Sequence, residues 1–404
     1  MNNSNKNFLE HKVMTIEVIT PVCCSDGVTL NKKEYLYDNK KRKIYLLHKL
    51  EFGKYLNGRR WLNNFERYMQ GKEHDEMSLY EWLQCMAGHK GVTIEQLGKA
   101  VLATVDVQVE IKRNGEGKPV NDMNPTIHLV DGNVYIPGST IKGMLRTAIL
   151  FHLIRQKDWE DRRKIYWRQI QSDIKNLYEN RRNEYESKKA LAQYSNTADK
   201  IEKELLSVLK LDTKEAASND ALRGLRCGDA TLIEHKQGKK SAGYHTVILK
   251  KKDIKDDTVK EVPSFFECIL PGTSFQFSLT LEKSMLAKIG ITSVDDLLNI
   301  MQQFYEFLND TLRSGFSKRG HLFAKIDRGN AYLGRNTGFL QKTFVLALAD
   351  TPKDAVPIIK TVLHQQFEKH KHQEDKKISP HTLKGVEYNS ELQLMGGVKI
   401  FDAH

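Results

Sequence analysis

Between Tyr135 and Leu150 the sequence changes period within a few residues. Tyr135-Ile136 closes an apolar, strand-like run, and Pro137-Gly138-Ser139-Thr140 interrupts it. Ile141, Leu145, Ala148 and Ile149 then recur at helical spacing. This is a strand, a glycine loop and a helix in immediate succession, with Ser139 or Thr140 placed to cap the helix. Strand-like runs bracket it on both sides, with clear alternation at Val105, Val107, Val109 and Ile111. Strand character is expected at Lys12–Thr20, Lys33–Tyr37, Lys43–Leu47, Val101–Lys112, Arg223–Glu234, His245–Lys250, Val262–Ile269 and Thr273–Leu281. Asp38-Asn39, Asp131-Gly132 and Pro271-Gly272 supply turns. Helical spacing returns at 47–101, Asp295–Leu312 and Ala355–Phe367. No repeat of 20–50 residues recurs. Each half nevertheless sets β-rich segments around a helix and a glycine loop. The fold class expected is α+β: two ferredoxin-like, RRM-like βαββαβ modules whose strands are split by helical insertions. The expected organisation is 1–154 for the first module, 155–220 for a charged helical insertion standing off the body, and 221–404 for the second module.

Composition narrows the partners. The chain has 404 residues, with 63 Lys and Arg against 51 Asp and Glu, a net charge of +12. That surplus favours a polyanion, nucleic acid first. The first residues, MNNSNKNFLEHK, lack the apolar core of a signal peptide, and no window reaches the ~20 apolar residues of a membrane span. A cytoplasmic location is therefore expected. Cys23, Cys24, Cys85, Cys227 and Cys268 form no C-x-x-C pair and read as buried free thiols. No cofactor is expected.

The glycine loop is the first candidate for chemistry. Gly138 and Gly143 have P-loop spacing, but Met144 and Leu145 follow where a P-loop needs Lys and Ser/Thr. What remains is a loop of exposed amides, the hydroxyls of Ser139 and Thr140, and the cations Lys142 and Arg146 a turn apart. Such a set suits phosphates of a nucleic-acid backbone. A second candidate is the stretch Arg313, Phe316, Lys318, Arg319, His321 and Phe323, which mixes charge with rings that could stack on bases. The runs Lys239-Lys240 and Lys250–Lys252 read as solvated faces. His364, His370 and His372 lie in or before the polar run His370–Lys377, and no acidic or cysteine partner stands at a metal-motif spacing, so they read as linker residues.

The run Tyr135–Thr147, YIPGSTIKGMLRT, closely resembles the signature of RAMP-type Cas proteins, RNA-binding subunits of type III CRISPR effectors. The order of further motifs is similar to the cap subunits of the type III-A complexes within that family. These motifs are Pro21–Gly27, Leu225–Asp229, Glu267–Phe275, Leu333–Thr343, and Pro380–Lys384 before Met395-Gly396. The sequence departs from the pattern in two loops. Cys23-Cys24-Ser25-Asp26-Gly27 stands where His-Ile-Gly-Ser-Gly is frequent, and Asn336-Thr337 stands for a Gly-Ser pair. The resemblance implies a RAMP fold and a subunit that binds CRISPR RNA near its 3′ end. It also implies that the subunit caps the backbone filament and supports 3′-end maturation without cutting. RNA contacts are implied at Gly138, Ser139, Thr140, Lys142, Gly143 and Arg146, and at Gly334, Arg335 and Gly338, with Lys318 and Arg319 added from the basic stretch. The partners implied are CRISPR RNA, target RNA, the other subunits, above all the adjacent backbone subunit, and host nucleases.

Two other readings stay open at this stage. One is a metal-independent endoribonuclease of precursor RNA, using one of His48, His128, His152, His235 or His321 on a 2′-hydroxyl. The other is a pure protein scaffold.

Overall fold

A computed structural model describes residues 8–108, 123–179, 184–211, 216–233 and 245–403. The expected loop Arg113–Pro119, Arg181-Arg182, His235 and Lys239-Lys240 lie outside those residues.

Two sheets carry the fold. In the first, the N-terminal strand Leu9–Val18 runs antiparallel to Ser274–Glu282 on one side and to Gly397–Asp402 on the other. Ala331–Tyr332 extends the sheet beyond Gly397–Asp402. Leu225–Cys227 and Ala230–Leu232 pair with Ser274–Glu282, and Tyr135–Ile136 pairs with Ala230–Leu232. Period-two side chains make this possible: Met14, Ile16 and Val18 are buried on one face of the central strand, as are Phe275, Phe277, Leu279 and Leu281 on its neighbour. In the second sheet Thr246–Ile254 pairs with Val259–Ile269 and Leu383–Tyr388 antiparallel, and with Val101–Val107 parallel. Lys43–Leu47 and Leu36–Asp38 continue it as the hairpin expected around Asp38-Asn39. Each sheet takes strands from both sides of residue 154 and of residue 220.

Helices cover the first sheet. Ile141, Leu145, Ala148 and Ile149 of the signature helix Gly138–Ile154 are buried, as are Leu297, Met301, Phe304 and Leu308 of helix Val294–Gly315. Each such aliphatic side chain contributes about 1.5–3 kcal/mol on burial. The second of these helices is started by a capping box between Ser293 and Asp296. Residues 49–100 form short helices with their own small core, in which Trp82 stacks on Tyr68 with Phe65 against its edge.

Two expectations are corrected here. The charged segment does fold as two helices, Glu160–Glu179 and Glu184–Leu206, but they do not stand off the body. Ile170, Ile174 and Leu177 on the first, and Ala190, Tyr194, Ile201 and Leu205 on the second, recur at helical spacing and join the main core. Arg163 fastens the pair by bonding the Leu348 carbonyl at 3.0 Å and Asp350 at 2.9 Å. Among the thiols, Cys85 is exposed; Cys23, Cys24 and Cys268 are buried. Burial pushes Cys24 up to about 12, so its thiol is no nucleophile.

Candidate nucleic-acid interface

The signature helix starts against the strand pair Leu225–Cys227 and Ala230–Leu232. A Cβ on Gly138 would lie 2.2 Å from the Cys227 carbonyl oxygen and 2.8 Å from that of Gly228, so only glycine fits. The Gly138 amide donates to Asp229 Oδ1 at 2.7 Å. Asp229 thus caps the helix from a distant segment and sets its negative charge at the positive end of the helix dipole. The expected cap, Ser139 or Thr140, is not used: both residues lie inside the first turn, Ser139 exposed and Thr140 half-buried.

Both signature cations have internal partners. Lys142 Nζ donates to the Leu225 carbonyl at 2.8 Å. Arg146 bonds Asp220 at 2.9 Å through Nη1 and makes a second ion pair with Glu202. The amide of Gly138 and these two side chains therefore hold the helix to the sheet and to the charged helical pair. This geometry weighs against the reading in which they grip a phosphate together. Gly143 differs from Gly138: nothing lies within 4 Å of the position its Cβ would take.

The late glycine loop follows strand Ala331–Tyr332. Gly334 has φ +87°, and a Cβ there would lie 2.4 Å from the Cys23 carbonyl oxygen, which also accepts the Arg335 amide at 2.7 Å. Asn336 has φ +63° and Gly338 φ +113°. The Asn336 departure from the expected glycine thus preserves a left-handed turn, because Asn tolerates that conformation. Two donors of this loop, Arg335 Nη1 and Asn336 Nδ2, are buried and have no hydrogen-bond partner among the described residues.

These two loops meet. Ser139, Thr140, Gly143 and Thr147 form one wall of a cleft of about 310 Å³, and Gly334, Thr337, Gln341 and Lys342 form another. Tyr305 and Leu308 of helix Val294–Gly315 make its floor. Lys342 is exposed and has no carboxylate within salt-bridge distance among the described residues. Beside Arg335, Lys384 donates to Asp253 at 2.8 Å and Lys251 lies 3.9 Å from the same carboxylate. Burial, Lys384 and Arg335 all push Lys251 below the ordinary lysine range, against the pull of Asp253. Two lysines on one carboxylate, with Arg335 near one of them, leave a positive surplus beside the late loop. Lys342, Lys251 and Lys384 were not read from the sequence as binding residues. Lys342 and Lys384 stand inside the resembling motifs, whereas Lys251 is hidden in a lysine run that reads as a solvated face. Lys250 and Lys252 pair with Glu261, and Lys252 also pairs with Glu387.

The other candidates lie elsewhere. Phe316 and Phe323 are buried in the core, so they offer no stacking face. Arg313 reaches both oxygens of Asp327 at 2.7 Å, Lys318 pairs with Asp257, and Arg319 donates to the Lys255 carbonyl at 3.0 Å. The charge-plus-ring reading of that stretch is corrected: its rings pack inward, Lys318 and Arg319 clasp the turn between Thr246–Ile254 and Val259–Ile269, and Arg313 is held by Asp327. Among the histidines, His48 caps helix Lys49–Gly58. His128 is buried, with Nε2 2.8 Å from Glu267 and Nδ1 2.8 Å from the Gly132 carbonyl. Burial alone would lower its pKa, but Glu267 and the Gly132 carbonyl raise it overall. His152 meets Gln156 at 2.8 Å. Among the described residues no histidine lines the cleft. His372 does have an acidic neighbour, Asp375, contrary to the linker reading.

Comparison with known proteins agrees with this architecture. The family model described as the RAMP superfamily matches residues 15–318. A CRISPR system protein, Csm5, of Mycobacterium tuberculosis is 24% identical over 283 residues, covering 69% of this chain and 66% of that protein. Csm5 of Enterococcus italicus is 25% identical over 148 residues, 33% of this chain and 41% of that one. A chain in the cryo-EM structure of a type III-A Csm–crRNA–target RNA ternary complex superposes with a TM-score of 0.63 at 15% identity, covering 97% of this chain and all of that one. The crystal structure of T. onnurineus Csm5 gives 0.53 at 13% identity, with 95% and 99% covered. Among the described residues no helix is long and apolar enough to cross a membrane. With three quarters of its length matched by the family model and the signature helix in place, the chain belongs to the RAMP superfamily.

Proposed function

We propose that this protein is a subunit of a type III-A CRISPR ribonucleoprotein that holds CRISPR RNA near its 3′ end and caps the backbone filament. Its CRISPR RNA meets target RNA in the assembled complex, and host nucleases trim the 3′ end around it. The observation that carries the reading is the convergence of the signature loop and the late glycine loop on one cleft. Hydroxyls of Ser139, Thr140, Thr147 and Thr337 line it, Gly143 leaves room for close approach, and Lys342 brings charge, with Arg335 next to Gly334 on the same loop. Such a set reads ribose and phosphate rather than bases, so little sequence preference follows. The Csm5 relatives and the Csm-complex neighbour support the assembly named.

The subunit binds without cutting: the described histidines make internal contacts or stand away from the cleft, which favours it over the endoribonuclease reading. Ultraviolet crosslinking of the full chain to CRISPR RNA, with peptide mapping, tests the assignment. Adducts are expected within 139–147 and 334–342, with the RNA intact in EDTA. Specific cuts lost on a single His→Ala change would favour the nuclease. Adducts confined to neighbouring subunits in the complex would favour the scaffold.

A further inference from the structure

Residues 367–382 join helix Pro352–Gln366 to strand Leu383–Tyr388 and contain a histidine–carboxylate cluster unrelated to the cleft. His372 Nδ1 lies 3.2 Å from Asp375 Oδ2, and His381 Nδ1 lies 2.5 Å from Asp375 Oδ1. One ligand atom from each of the three residues falls within 4.8 Å of the other two. Ser379 Oγ donates to Asp375 Oδ2 at 2.6 Å and steadies the carboxylate from outside. The spacing is His-x2-Asp-x5-His.

We propose that His372, Asp375 and His381 bind one zinc ion, which staples this segment to the body of the protein. The charge balance points the same way as the geometry. Asp375 is buried, and among the described residues no Lys or Arg lies within salt-bridge distance of it. A buried carboxylate needs a compensating positive charge, and a divalent ion supplies it. Two imidazoles and one carboxylate suit zinc and its neighbours rather than calcium or magnesium, which take oxygen donors. Tetrahedral bonds of about 2.0–2.1 Å would set the ligand atoms roughly 3.3 Å apart, so three ligand atoms within 4.8 Å of one another close on an ion with shifts of about 1–1.5 Å. His381 is partly exposed, giving the ion an entrance and water a fourth position. His370 stacks beside His372 at 6.1 Å between ring centres and does not ligate.

The test uses the untagged full chain. After chelator stripping and zinc titration, elemental analysis is expected to find about one zinc per chain. Cobalt substitution should give visible absorption of a tetrahedral site. His381→Ala should weaken uptake by roughly tenfold or more, while His370→Ala retains it. Zinc should raise the melting temperature of the wild type and slow proteolysis within 367–382, and do neither for His381→Ala. Zinc uptake at background level in folded wild-type protein, or equal uptake by His381→Ala, would overturn the proposal. These readouts are independent of RNA binding.

Discussion

The two lips of the cleft use similar residues for opposite purposes. At the signature helix, Gly138 is required by a carbonyl 2.2 Å from its missing Cβ, its amide is taken by Asp229, and Lys142 and Arg146 are bonded inward. At the late loop, Gly334 is required in the same way, but Arg335 keeps a buried donor without a partner among the described residues, close to Lys251, which shares the Asp253 carboxylate with Lys384. One lip is thus electrically closed and contributes shape and hydroxyls. The other is electrically open and contributes charge. A cation in a recognised motif is therefore no guide to a ligand until its internal partners are known.

The sharpest way to break this comparison is at Gly138. Gly138→Ala is expected to cost about 3 kcal/mol, because backbone rather than a side chain blocks the methyl group; chemical denaturation checks it. A loss below about 1 kcal/mol would show that the helix start is not pinned as described. Arg146→Ala should cost about 1–2 kcal/mol by removing its ion pairs to Asp220 and Glu202, with RNA affinity per folded molecule little changed. Equilibrium binding corrected for folded fraction separates the two effects. Arg335→Ala should instead leave the melting temperature within a few degrees and weaken RNA binding, which filter binding would show. Gly143→Ala has the smallest expected effect on stability and an opposite sign. It should stabilise the helix by about 0.5–1 kcal/mol, since the site is open, while weakening RNA binding by crowding the cleft wall.

Much of the architecture is legible in local pattern. The apolar, β-branched run around Val13–Ile19, the turns at Asp38-Asn39 and Asp131-Gly132, and the stripe Ile141, Leu145, Ala148 and Ile149 each lead to the element found. The sites were less legible because they depend on contacts between residues far apart in sequence. Asp229 caps a helix 91 positions away. Asp220 and Glu202 neutralise Arg146 from 74 and 56 positions away. Phe316 and Phe323 sit in a basic stretch, yet the buried face they serve is formed by distant strands and helices. Lys251 looks like its neighbours in sequence, but strand pairing sets it beside Lys384 rather than beside Glu261. His372 finds its partners Asp375 and His381 only because the 367–382 segment folds back on itself.

The division of labour between the lips is tested most directly by the salt dependence of CRISPR RNA binding. The double change Arg335→Ala with Lys342→Ala should reduce the slope of log K against log salt by roughly 0.7 for each lost phosphate contact. The double change Lys142→Ala with Arg146→Ala should leave the slope unchanged in folded protein. The reverse pattern, a slope that falls only when the signature cations are removed, would contradict the account.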